Sequence, residues 1–96
     1  MHALLVSVSI PRENLDAAAK DLHERVVPLV KQTPGFVAGY WLDPKDTGGS
    51  GLEGFGFIVY QSEADAKNAQ TMASQGPQEA GVTFTNFEIR EVVAHA

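Results

Sequence analysis

Along residues 3–10 apolar positions alternate: Leu4, Val6, Val8 and Ile10 share one parity, and Ala3, Leu5, Ser7 and Ser9 the other. That period of two predicts a strand, which Pro11 closes. From Leu15 to Gln32 the period becomes helical. Leu15, Ala18, Ala19, Leu22, Val26, Leu29 and Val30 fall on one stripe, with Lys20, Asp21, Glu24, Arg25 and Lys31 outside it. Asn14 is the expected N-cap, and Asp16 suits the positive end of the helix dipole. Pro28 interrupts the pattern, because it deletes the bond to the Glu24 carbonyl and crowds it. Two outcomes are open: a kink that bends the helix over the sheet, or a freed Glu24 carbonyl that lines a pocket.

Thr33-Pro34-Gly35 ends the helix, with Gly35 able to take a positive φ. Alternation then resumes, placing Phe36, Ala38, Tyr40 and Leu42 on one face and Val37, Gly39 and Trp41 on the other. Asp43 to Gly51 reads as a turn-rich loop joining a hairpin. Residues 54–60 return as a strand with Phe55, Phe57 and Val59 on one side, Ile58 and Tyr60 on the other. Gly54 and Gly56 leave room on that second side for a bulky neighbour or a ligand. Ser62 caps a second helix, with Asp65 in the place of a capping-box acid. This helix runs to about Ser74, ends near Gly76-Pro77, and has a small inner face of Ala66, Ala69, Met72 and Ala73. Gly81 to Val93 forms the last strand. Val82 and Phe84 there share one parity, and Phe87, Ile89 and Val93 the other. Either a bulge at Thr85-Asn86 restores the faces, or the strand changes what it packs against.

The order β-α-β-β-α-β predicts an α+β, ferredoxin-like fold. Its four-stranded antiparallel sheet carries two helices on one face, and residues 1–96 form one domain. Two helices cover one face of the sheet, yet both faces carry large apolar groups. A homodimer built through the open face is therefore expected. The apolar tail Val92-Val93-Ala94-His95-Ala96 is expected to lie against a partner.

A net charge of −5 from seven basic and twelve acidic residues argues against nucleic-acid and anionic-membrane partners. The chain contains no cysteine, which excludes disulfides and thiol chemistry. No apolar run approaches the roughly 20 residues that span a bilayer. Met1-His2-Ala3-Leu4-Leu5 lacks the basic start of a signal peptide, so a cytoplasmic location is expected.

The sequence resembles the dimeric α+β barrel superfamily, in particular the antibiotic biosynthesis monooxygenase domain. The resemblance rests on element order, the helix end Val26-Val27-Pro28 followed by Thr33-Pro34-Gly35-Phe36, the Gly39-Tyr40-Trp41 strand, and the closing 88–96 segment. It implies that two sheets pair into a barrel, with a cavity between the helices and the sheet of each subunit. Members oxidise aromatic polyketides without metal or flavin, or degrade haem, and many have no known activity. The haem degraders share an Asn on the first strand, a Trp, and a His on the second helix. Here the first strand offers Ser7 and Ser9, residues 63–75 contain no His, and Trp41 lies on the second strand. Haem degradation is not expected.

Trp41, Tyr40 and His23 are the candidate catalytic residues. An aromatic substrate could stack on the Trp41 indole, and Tyr40 could donate to a phenolate or peroxide oxygen. They point to opposite faces, so at most one lines any single cavity. His23 borders the helical stripe, where a neutral imidazole could act as a base. A sheet Trp and a boundary His also serve structure alone. His2 and His95 lie at the termini. Arg90, between Glu88 and Glu91, reads as an ion-pair partner or an anion site. The Gly48-Gly49-Ser50-Gly51 run lacks both phosphate-loop patterns, and no residue spacing predicts a metal or cofactor site. Two functions remain open. One is a cofactor-independent monooxygenase, in which the anion of a small hydrophobic or aromatic substrate activates oxygen. The other is a non-catalytic dimer that binds a small ligand or a protein.

Overall fold

A computed structural model describes residues 1–49, 51–76 and 81–96. Strand β1 (His2–Pro11) is followed by a 3₁₀ turn, Arg12–Asn14. The first helix has three parts: α1 (Leu15–Asp21), a π-helical turn (Leu22–Val26) and α2 (Val27–Lys31). Then come β2 (Phe36–Asp46), β3 (Gly51–Tyr60), α3 (Glu63–Gln75) and β4 (Thr83–Glu91). The four strands are antiparallel in the order β2-β3-β1-β4. This is the expected ferredoxin-like arrangement.

Register assigns the faces, because directly paired residues of an antiparallel ladder share a side. Leu4 pairs with Ile58 and Ile89, and Val6 with Gly56 and Phe87, on the face that meets the helices. There Leu4, Ile58 and Tyr60 join Ala66 and Ala69 of α3 in the buried core. Leu5, Phe55, Phe57 and Val59 lie on the other face, joined by Ala38, Tyr40 and Leu42 of β2. Both sheet faces are therefore apolar, and both helices cover the same one.

Three irregularities decide which side chains reach which face. In β4, Ser7 pairs with Asn86 and Val8 with Phe84, so Thr85 is the extra residue of a bulge. Phe84 and Phe87 thus share the helix side, ring centroids 4.9 Å apart. In β2, Phe36 pairs with Tyr60 but Ala38 with Val59, which makes Val37 an extra residue. Phe36 moves to the helix face beside Trp41 and packs on the core. The simple alternation that put Phe36 with Ala38 and Tyr40 fails at this bulge. A third shift, between Leu42 and Lys45, accommodates Pro44 on an edge strand. Strand pairing continues through it, so the expected 43–51 loop shrinks; its Ser50 lies outside the described residues.

The helix ends follow their residues. Gly35 takes φ 79° as expected, and a Cβ there would run into the Asp65 carboxylate. The Ser62 hydroxyl accepts from the Asp65 N–H at 3.1 Å and donates to its carboxylate at 2.9 Å. Asn14 stands at the start of α1, but its side chain makes no capping hydrogen bond. A Cβ on Gly81 would lie 2.7 Å from Asn14 Nδ2, so the amide is turned toward the start of the β4 segment. Helix α3 ends at Gln75, and Pro77 lies outside the described residues.

At Pro28 the Val27 N–H donates to the Leu22 carbonyl, five residues back. This π-turn restarts the helix so that Pro28 falls in the first turn of α2, where a missing N–H is harmless. The helix continues past the proline by this device. Glu24 is not among the cavity-lining residues, so its carbonyl is not a pocket wall. Among the described residues no helix is long and apolar enough to cross a membrane.

Candidate functional site

The two helices meet the sheet differently. Helix α3 buries Ala66 and Ala69, whose small side chains let it approach closely, while Met72 is half exposed. No residue of α1, the π-turn or α2 is buried. Their apolar stripe instead forms one wall of a cavity of about 1060 Å³, at the upper end for small-molecule sites. Leu15, Ala18, Leu22, Val26 and Val30 line the helix side, and Val6, Val8, Trp41, Gly56 and Ile58 the sheet side.

Trp41 forms part of the floor. Its indole spans two glycines: a Cβ on Gly56 would lie 2.8 Å from Trp41 Cδ1, and one on Gly39 2.9 Å from Cη2. A Cβ on Gly54 would lie 2.7 Å from Val8 Cγ2. The room left by the strand glycines is thus taken by bulky neighbours, and the ligand space lies above them.

Polar groups are few. Thr33 Oγ1 donates to the Val30 carbonyl at 2.6 Å and lies 3.0 Å from the Tyr60 hydroxyl. Burial pushes the Tyr60 phenol above its usual range, with the Thr33 contact opposing it. On the first helix, Arg25 Nε and Nη2 grip Asp21 at 2.7 and 2.8 Å. Hydrogen bonding from Arg25 holds the Asp21 carboxyl below its usual value, against a smaller effect of burial. Sequence reasoning missed Tyr60, Thr33 and the Asp21–Arg25 pair, although parity with Ile58 had put Tyr60 on the correct face.

Of the three candidate residues, His23 and Trp41 both line this cavity, His23 from an exposed position on the π-turn. Tyr40 does not join them. It lies on the open sheet face, 57% exposed, its ring centroid 5.3 Å from that of Phe57. Arg90 pairs with Ala3 on that same open face and binds Glu88 at 2.7 Å, so it is no anion site of the cavity. Val93 of the apolar tail is 92% exposed. Among the described residues no three His, Asp or Glu side chains gather as a metal site.

No protein-family model and no curated protein matches the chain. Solved structures do. A candidate monooxygenase from Shewanella loihica superposes with a TM-score of 0.65 at 22% identity, over 98% of this chain and 96% of that one. A haem degrader of Mycobacterium tuberculosis, with two haems in its active site, gives 0.65 at 18% identity over 100% and 99%. A dimeric ferredoxin-like protein from an uncultured marine organism gives 0.62 at 13% over 99% and 97%. At these identities the likeness is one of fold, and it spans the whole chain: the protein has the ferredoxin-like α+β fold that also carries antibiotic-biosynthesis-type monooxygenases and haem degraders.

Proposed function

We propose that the chain acts as a homodimer that binds a small apolar, aromatic molecule between its first helix and its sheet, and oxidises it with dioxygen without a metal or organic cofactor. The apolar cavity of about 1060 Å³ carries this reading. A neighbour of the same fold, a Streptomyces coelicolor monooxygenase solved with nanaomycin D, gives it chemical direction (TM-score 0.50, 10% identity). Trp41 supplies a planar floor for a ring system. His23, at the exposed rim, is the group suited to take a proton near neutral pH.

His23 removes a proton from an activated ring CH₂, and the carbanion passes its electron pair to dioxygen as a C–O bond forms. The imidazolium returns the proton to the outer peroxide oxygen. The hydroperoxide then loses its second C–H proton, the O–O bond breaks, and water leaves a ketone: CH₂ plus O₂ gives C=O plus H₂O. Dimerisation through the open face of Phe57, Val59 and Leu5 would remove that apolar surface from water.

Single-turnover assays with a panel of anthrone substrates, run after chelation, test the proposal. Quinone formation that falls at least 100-fold in His23→Ala supports it. Full activity in that variant removes His23 from the mechanism. Tight binding of the panel without turnover leaves the non-catalytic binding protein as the correct reading.

A further inference from the structure

The cavity walls are apolar, but its exposed rim is acidic. Among the lining residues are three carboxylates, Asp16, Asp21 and Asp43, against one guanidinium, Arg25. That guanidinium already grips Asp21 through two of its nitrogens. Asp16 and Asp43 are exposed, and among the described residues neither has a lysine or arginine within ion-pair distance. His23 also lines the cavity, from an exposed position. Asp16 and Asp21 come from the first helix and Asp43 from edge strand β2. The negative charges thus sit on both elements that bound the opening.

Carboxylates around a low-dielectric mouth focus a negative field into it. An anion must cross that field and give up its hydration to reach apolar walls. Among the described residues it finds no lysine or arginine inside beyond the one already held by Asp21. The walls would still take up an uncharged ring system of the same shape. From this we infer that the cavity selects an uncharged apolar ligand and rejects its carboxylated or sulfonated analogues. The inference rests on the proposed function and narrows its substrate class. The substrate enters neutral, and negative charge arises on it only inside, when its proton is removed. Haem, with two propionates, is disfavoured on the same ground.

Two fluorescent probes share one ring scaffold: N-phenyl-1-naphthylamine is uncharged, and 8-anilinonaphthalene-1-sulfonate carries one sulfonate. Both are titrated in about 10 mM salt, where the Debye length is roughly 30 Å, and again near 1 M, where it is roughly 3 Å. The two are compared in the native chain, in the rim variant Asp16→Asn/Asp43→Asn, and in a control, Glu53→Gln/Glu91→Gln. The control changes net charge equally but alters no lining residue. The expected result is a sulfonate Kd at least fivefold tighter in the rim variant and in high salt. The uncharged probe and the control should change less than twofold. A sulfonate Kd unmoved by the rim substitutions, or moved equally by the control, overturns the inference while the cavity reading stands. Failure of the uncharged probe to bind the native chain overturns the cavity reading and the inference with it.

Discussion

The indole of Trp41 lies on the backbone of Gly56, so close that a Cβ there would be 2.8 Å from Trp41 Cδ1. The two are cross-strand partners of β2 and β3. Gly56→Ala therefore forces the indole off the floor. Overpacking of this kind costs about 1–3 kcal/mol. Denaturant unfolding should show that loss, together with a shifted tryptophan emission maximum.

Trp41→Ala should cost more. The indole also fills the space above Gly39 and packs on the core. Large-to-small aromatic changes cost about 3–5 kcal/mol when buried, and a partly buried indole belongs near the lower figure. An unchanged melting temperature with lost ligand binding would show that Trp41 serves the ligand and not the fold.

Phe57 sits centrally on the open sheet face, against Tyr40. Phe57→Lys places a charge where two sheets would meet, and the cost of burying it unpaired should separate the subunits. Sedimentation equilibrium at micromolar concentration should give a dimer for the native chain and a 10.3 kDa monomer for the variant. A native monomer would refute the dimer outright.

The Asp21–Arg25 pair gives one signed pH dependence. The folded-state value of Asp21 lies below its ordinary one. Its stabilisation is therefore complete above the unfolded carboxylate value of about 3.9. It is lost as pH falls through the lowered folded value. Asp21→Asn should be less stable than the native chain at pH 7 by about 0.5 kcal/mol. The gap should close toward pH 2, as urea unfolding across that range would show.

Pro28 is the source of the π-turn. Pro28→Ala supplies the missing donor, and relaxation to α geometry would turn α1 by about 100° relative to α2. Regaining the Glu24 bond should raise the melting temperature by about 4–8 °C. Rotation of Leu22 and His23 should weaken binding of the uncharged naphthylamine probe. A variant with unchanged affinity would show that the π-turn does not shape the cavity.

Element order, the Ser62 cap, the positive φ of Gly35 and the apolar nature of both sheet faces were all legible in the chain. Each depends on a period or a cap that a few consecutive residues express on their own. Sequence alternatives also anticipated the bulge at Thr85. The bulge at Val37 was not legible. It is decided by Tyr60 and the core, which draw Phe36 to the helix side at the expense of regular pairing. The separation of Tyr40 from Trp41 followed from parity, but which of them faced a cavity did not. That depended on which sheet face the helices cover, and local alternation is the same for either choice. The cavity belongs wholly to tertiary structure. Its volume is the gap between the apolar stripe of the first helix and the floor built by Trp41 on two glycines. A gap between two surfaces is set by how closely they approach, and no residue of either one encodes that distance alone.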